Sequence, residues 1–336
     1  MRQFSNVLFV VAEDGDPMAA LQQAIGLTRQ DGATLTLVSS IETLVSAASS
    51  GRFHDELAEA FDALRSKRLD ALKTLADAVP DGIATVCEVV EGKTYIEAIR
   101  RVQLYDHDLI VTQASQDGSG ALGRIFVSEE MQLLRKCPCP VLLLRPSEDR
   151  SFNRIMATVD FDHEVDETGT RTPSALNADL LDLAASIADR DESHLDVVNI
   201  FTVPGEGAMV AGWIPMAPEN LSDYAKSCET AAEDRLTQTV GESRDRTNLP
   251  IFGTDRVETH LVKGRARSEI PALAERLGSD LVVMGTLGRV GVPGLLIGNT
   301  AETILGSIRC SVLALKPKGF ESPIRPERSD TSDVLI

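Results

Sequence analysis

The stretch DLVVMGTLGRVGVPGLLIGNTAETILGSIRCSVLALKP, residues 280–317, carries the clearest chemistry in the chain. Residues 281–284 and 312–315 are apolar runs of strand length. Between them stand Gly285, Gly288, Gly291, Gly294 and Gly298, then a helix-like segment opening at Asn299. Each glycine costs backbone entropy, so the series needs a use. A phosphate would supply one, because it binds closely spaced main-chain N–H groups and is kept away by side chains. Gly285 and Gly288 would let a loop approach a pyrophosphate. Gly298 precedes a helix whose free N–H groups and dipole favour an anion. Asn299 and Thr300 can cap that helix or donate to the phosphate, and Arg289 could neutralise its charge. A plain surface loop around Gly291, Pro293 and Gly294 is the competing reading. The GxxxxGK[ST] pattern is absent, as is a GxGxxG after the first strand, which excludes a P-loop and a Rossmann dinucleotide site.

Other chemistry is weaker. His54, His107, His163, His194 and His260 show no metal-ligand spacing, so no metal is expected. Cys137 and Cys139 are spaced CxC and read as small buried residues where a strand begins. The acidic DFDHEVDE, residues 160–167, could hold Mg²⁺ beside phosphates or simply be a solvated loop. No serine or cysteine is paired with a base at readable spacing, and no phosphate lysine or general base stands out, so no catalytic residue is assigned. The stretch TVPGEGAMVAGWIPMAPEN, residues 202–220, offers Met209, Val210, Trp213 and Met216 as a lid or as a surface for an apolar ligand.

The elements that position these residues come from a duplication. YDHDLIVTQ at 105–113 matches GSDLVVMGT at 278–286, and VVEGKTYIEAI at 89–99 matches HLVKGRARSEI at 260–270. RKCPCPVLLLRPS at 135–147 matches IRCSVLALKPK at 308–318, and SNVLFVVAED at 5–14 matches NRIMATVDFD at 153–162. The order is the same in both halves, with a seam at 146–152. Each half alternates strand and helix. Strands are expected at 7–11, 34–38, 84–90, 109–112 and 141–144, then at 155–159, 195–201, 256–262, 281–284 and 312–315. Helices are expected at 19–28, within 54–79, at 94–104 and 127–136, then at 174–189, 219–240, 266–277 and 299–308. Continuous apolar strands joined by helices form parallel sheets covered on both faces. The fold class is therefore α/β, two tandem doubly wound parallel five-stranded sheets. Ligands in such sheets bind beyond the carboxyl ends of the strands, where the glycine stretch lies.

Composition bounds the function. The chain has 336 residues, a formal net charge of −18 and 4 % aromatic residues. Such a charge argues against nucleic acid and anionic membranes as partners. No apolar run reaches membrane-spanning length, and MRQFSNVLFVVAEDGD reads as a first strand rather than a leader. Five scattered cysteines fit reduced thiols and a cytoplasmic location.

The spacing Gly285-x2-Gly288-x9-Gly298, followed by a small polar residue, resembles the nucleotide-binding signature of the universal stress protein family, and the whole chain resembles its tandem bacterial form. The resemblance implies an adenine nucleotide alpha hydrolase-like fold with pseudo-two-fold symmetry, the units pairing through 141–144 and 312–315. It implies domain 1 at 1–147, domain 2 at 152–317 and a tail at 318–336, whose composition reads as disordered. It implies ATP or another adenine nucleotide in domain 2, with or without Mg²⁺. Thr158, Val159, Asp160 and Ile200 would lie near base and ribose. Gly285, Leu287, Gly288, Gly298, Asn299 and Thr300 would lie near phosphate. Asn299 stands where the family carries Ser or Thr, and Ala301 stands where a further hydroxyl is common. Domain 1 looks degenerate: Ala12 faces Asp160, Gln113, Ala114, Ser115 and Gln116 replace residues 285–288, and Val127 replaces Gly298, while Gly118 and Gly120 read as a turn. The function expected is a stress-response nucleotide binder with little or no hydrolysis, monomeric with an internal pseudo-dimer or homodimeric. The alternatives are a nucleotide-free scaffold or chaperone-like protein with an unidentified protein partner, and a slow ATPase.

Overall fold

The computed structural model describes residues 4–12, 17–29, 32–41, 54–114, 129–145, 151–161, 172–286, 298–327 and 333–335. The chain divides at Ser151 and Phe152 into two units, and the segment from Gly319 onward belongs to the N-terminal one.

In the N-terminal unit the strands are β1 (Asn6–Val10), β2 (Ala33–Ile41), β3 (Ile83–Glu91), β4 (Leu109–Gln113) and β5 (Val141–Leu144). They lie in the order 3-2-1-4-5, all parallel. The helices are α1 (Pro17–Leu27), α2 (His54–Ala76), α3 (Thr94–Tyr105) and α4 (Glu129–Lys136). Val7, Leu8 and Phe9 are each fully buried, so both faces of β1 are covered and the strand sits centrally.

The C-terminal unit repeats the plan with β6 (Arg154–Val159), α5 (Thr172–Asp191), β7 (His194–Phe201), α6 (Glu206–Val210) and α7 (Pro218–Thr247). A 3-10 turn at Pro250–Gly253 leads to β8 (Val257–Lys263), α8 (Ala266–Leu277), β9 (Leu281–Gly285), α9 (Asn299–Ser307) and β10 (Ser311–Leu315). The strands lie parallel in the order 10-9-6-7-8.

The duplication reaches individual hydrogen bonds. Asp108 accepts from the N–H groups of Ser5 (2.8 Å) and Asn6 (3.0 Å) at the start of β1. Asp280 accepts from those of Asn153 (2.6 Å) and Arg154 (3.1 Å) at the start of β6. Each carboxylate therefore staples the first strand of its unit to the fourth, satisfying donors that would otherwise be orphaned at the sheet end. Just before each staple the chain leaves a helix in the left-handed region, at Asp106 (φ 55°) and at Gly278 (φ 68°).

Most elements fall where their periodicity places them, and α8 and β5 match to the residue. Three features differ. The 202–220 connection contains the one-turn helix α6, and α7 continues to Thr247, beyond the expected end at 240. The segment after Pro317, which composition reads as disordered, carries turns and bends and no helix or strand over 318–327. A short strand β11 (Asp333–Leu335) runs antiparallel to β3, with Val334 opposite Glu88. Edge pairing satisfies backbone groups that composition does not count.

Candidate functional site

The winding of the C-terminal sheet reverses between β6 and β9, which makes the crevice beyond their carboxyl ends the expected ligand position. The register runs from Ile155 opposite Leu281 to Ala157 opposite Val283. Continued three residues, it sets Asp160 level with Thr286. On the other side Val159 lies opposite Asn199, which sets Ile200 level with Asp160. Thr158, Val159, Asp160, Ile200 and Gly285 thus gather at one edge.

Three buried polar side chains that the sequence reading missed fix this edge. Asn177 of α5 holds Asp160 by its main chain: its side-chain amide donates to the Asp160 carbonyl at 2.7 Å, and its carbonyl accepts the Asp160 N–H at 3.1 Å. Asn199 donates to the Val159 carbonyl at 2.9 Å. Thr286, fully buried, donates through N–H and hydroxyl to the Leu315 carbonyl, at 3.0 and 3.2 Å. The signal for the two asparagines was a polar residue on an otherwise apolar face of a helix and of a strand. The Thr158 hydroxyl donates to the Val283 carbonyl at 3.4 Å, so this side chain ties β6 to β9. Val159 is buried, whereas Asp160 is exposed.

Thr286 also closes the base of the glycine stretch, its carbonyl accepting the Gly298 N–H at 3.1 Å. Gly298 is the N-cap of α9 with φ −61° and ψ 140°, an extended conformation open to any residue, and no side chain caps the helix. Asn299 and Thr300 are exposed in its first turn. The Lys316 ammonium donates to the Thr286 hydroxyl at 2.6 Å, bringing to this edge a cation that the sequence reading did not single out. Gly285 has a structural explanation of its own. A Cβ there would stand 2.8 Å from Leu176 Cδ2, so the glycine makes room for α5. Leu287, Gly288, Arg289, Gly291, Pro293 and Gly294 lie outside the described residues, as do residues 162–167 of the acidic stretch.

In the N-terminal unit Ala114 donates to the Leu144 carbonyl at 2.8 Å, the counterpart of the Thr286–Leu315 bond. The scaffold is thus kept, but Gln113 stands where Gly285 does, buried at the strand end. Ser115, Gln116, Gly118, Gly120 and Val127 lie outside the described residues.

Two other clusters lie away from this edge. At the amino ends of the strands Asp196 is buried and accepts from Arg154 Nε (2.6 Å) and Nη2 (2.9 Å), with His260 Nε2 2.7 Å from its Oδ1. Burial alone would raise the Asp196 carboxyl, but the hydrogen bonds from Arg154 and His260 outweigh it and hold the group below its usual range. Asp196, Glu258 and His260 each place a possible ligand atom within 4.8 Å of the others. Arg154 already engages both Asp196 oxygens, so the chemistry is that of an ion-pair network. Cys137 and Cys139 lie 3.5 Å apart and buried in the N-terminal unit, where burial pushes the Cys139 thiol well up. In the 202–220 connection Val210, Trp213, Ile214 and Met216 are exposed, Trp213 at 83 %.

The pattern described as "Universal stress protein family" matches residues 3–145 and 171–316. The chain belongs to the universal stress protein family. Universal stress protein E of Photorhabdus laumondii is 26 % identical over 97 % of this chain and 99 % of its own length. Universal stress protein E of Escherichia coli K12 is 27 % identical over 99 % of this chain and 100 % of its own. Among solved structures, a putative universal stress protein from Pseudomonas aeruginosa UCBPP-PA14 has a TM-score of 0.59 at 23 % identity, covering 94 % of this chain and 95 % of that one. A universal stress protein from Archaeoglobus fulgidus has a TM-score of 0.56 at 13 % identity, covering 94 % and 98 %. The chain is therefore a tandem universal stress protein, similar to the E type throughout and carrying the family fold. No described helix is long and apolar enough to cross a membrane.

Proposed function

We propose that the second unit of this universal stress protein binds an adenine nucleotide, ATP, ADP or AMP, with little or no hydrolysis, in a cytoplasmic stress response. The observation that supports this reading most is the bare start of α9. Gly298 supplies no capping side chain, and its bond to Thr286 sets the first-turn N–H groups beside the reversal point of the sheet. Phosphates would lie against the N–H groups of Asn299 and Thr300, approached by Gly285, Leu287, Gly288 and Gly298. Base and ribose would lie along Thr158, Val159, Asp160 and Ile200, and Mg²⁺ would accompany the phosphates. A buried Gln113 in place of Gly285 favours an N-terminal unit without this site.

Calorimetry with ATP, ADP and AMP tests the proposal. The unmodified protein gives a saturable heat that Gly288→Val abolishes. A silent titration of the unmodified protein with all three nucleotides overturns it. Phosphate release far below one equivalent per protein over the binding experiment supports binding without turnover. Sustained release that Asp160→Ala reduces supports a slow ATPase instead.

A second reading, an apolar ligand or a protein partner on the 203–218 surface, is favoured by the exposure of Val210, Trp213, Ile214 and Met216. It requires Trp213 fluorescence to change when the partner binds, whether or not nucleotide is present.

A further inference from the structure

β3 is the outer strand of the N-terminal sheet and pairs with β2 on its inner side. The other side of such a strand presents unpaired backbone groups that need cover. Here β11 supplies it, with Asp333, Val334 and Leu335 opposite Val89, Glu88 and Cys87. The same segment is anchored twice on α3. The Gln103 side chain donates to the Ile324 carbonyl at 2.8 Å, and Arg100 Nη2 donates to Glu327 at 3.1 Å. Arg100 is held ready for that carboxylate, because its Nη1 donates to Glu97 at 2.7 Å. Glu97 is in turn locked by Arg101, which also binds Glu88 of β3.

The corresponding edge of the C-terminal unit lacks these anchors. By the internal repeat Ala272 stands at the place of Arg100 and Glu275 at that of Gln103. Its outer strand β8 has no buried residue, and among the described residues no strand covers it. The anchors are thus a property of the first edge and not of the fold.

The described contacts of the segment include a strand of three residues, one amide-to-carbonyl bond and an ion pair in which the Glu327 side chain is 63 % exposed. Exposed pairs of this kind hold weakly and are screened by salt. The segment begins at Gly319, at φ +85°, a conformation suited to a pivot. We propose that the outer edge of β3, with Arg100 and Gln103, is a docking groove for an extended, carboxylate-bearing segment. The chain's own segment occupies it through Ile324, Glu327 and Asp333–Leu335, and exchanges with the same segment of a second copy. Strand addition at a sheet edge supplies the affinity, and the Arg100–carboxylate contact supplies register.

Hydrogen exchange on the full-length protein, read on the peptide spanning β3, tests this. Glu327→Arg is expected to speed exchange there about fivefold, the loss matching one exposed ion pair of ~1 kcal/mol. Arg100→Glu combined with Glu327→Arg is expected to restore protection, which a general loss of folding would not do. A fluorescent peptide of residues 319–336 is expected to bind the Glu327→Arg protein, but not the Glu327→Arg protein that also carries Arg100→Ala. Unchanged exchange in Glu327→Arg, or peptide binding indifferent to Arg100, overturns the proposal. Peptide binding blocked equally by an unrelated acidic peptide overturns the assignment to a second copy.

Discussion

Asn177 grips Asp160 by its main chain and not by its carboxylate, through a pair of hydrogen bonds at 2.7 and 3.1 Å. The strand end is thereby fixed while the Asp160 side chain stays exposed. Asn177→Ala removes both bonds and is expected to cost about 1–3 kcal/mol, read from the urea midpoint. On the proposed function it also weakens nucleotide binding severalfold, although Asn177 itself need not touch the ligand. Unchanged stability would contradict the clamp.

Gly285 and Leu176 compete for one space. Gly285→Ala brings a Cβ to 2.8 Å from Leu176 Cδ2, which a flexible side chain relieves in part, so the expected cost is about 1 kcal/mol. Leu176→Ala removes the obstruction. The double variant is then expected to be more stable than the sum of the single effects predicts, a coupling that a double-mutant cycle measures.

His107 gives the N-terminal unit an acid limit. Burial pushes its imidazole down from the ordinary 6.5 to about 4, with nearby Arg101 acting in the same direction. Between those values the unfolded chain holds the proton and the folded chain does not. Stability is therefore full above about pH 6.5 and declines as the pH falls toward 4, by on the order of 3 kcal/mol. His107→Gln is expected to flatten this part of the stability profile in urea titrations at successive pH values. An unaltered slope would show that the imidazole titrates normally.

Arg101 lies buried between two buried carboxylates, 2.7 Å from Glu88 and 2.8 Å from Glu97. Arg101→Met alone strands Glu88 and leaves Glu97 to Arg100, and is expected to cost about 3–5 kcal/mol. The triple change Arg101→Met, Glu88→Gln and Glu97→Gln is expected to recover much of that loss. Equal destabilisation of the single and triple variants, measured by thermal unfolding, would show that packing and not charge dominates the site.

The sheet order was legible because each strand is a short apolar run and the halves repeat, so β5 and β9 could be placed from residues 141–144 and 281–284 alone. The edge composed of Thr158, Asp160, Ile200 and Gly285 was legible for the same reason, since it follows from where strands end. Asn177 and Lys316 were not. Asn177 acts on residue 160 from the middle of a helix, a contact set by how α5 packs and not by local pattern. Lys316 reaches Thr286 only because β10 lies beside β9. Glycine spacing suggested phosphate for Gly285, yet packing against Leu176 accounts for that glycine without a ligand. Strand β11 in the tail was not legible, for a different reason. Its composition carries no signal for a strand, because the backbone partners it needs belong to β3, more than two hundred residues earlier.

The carboxylate staples at Asp108 and Asp280 sit at the opposite end of each sheet from the glycine stretch and share no residue with it. The staples are therefore independent of the residues proposed to meet a ligand, and can be kept while those are rewritten. Grafting the sequence 285–300 in place of 113–129, which sets Gly298 where Val127 stands, should yield a folded chain with twinned mouths, which would turn an ancient copying event into an engineering route.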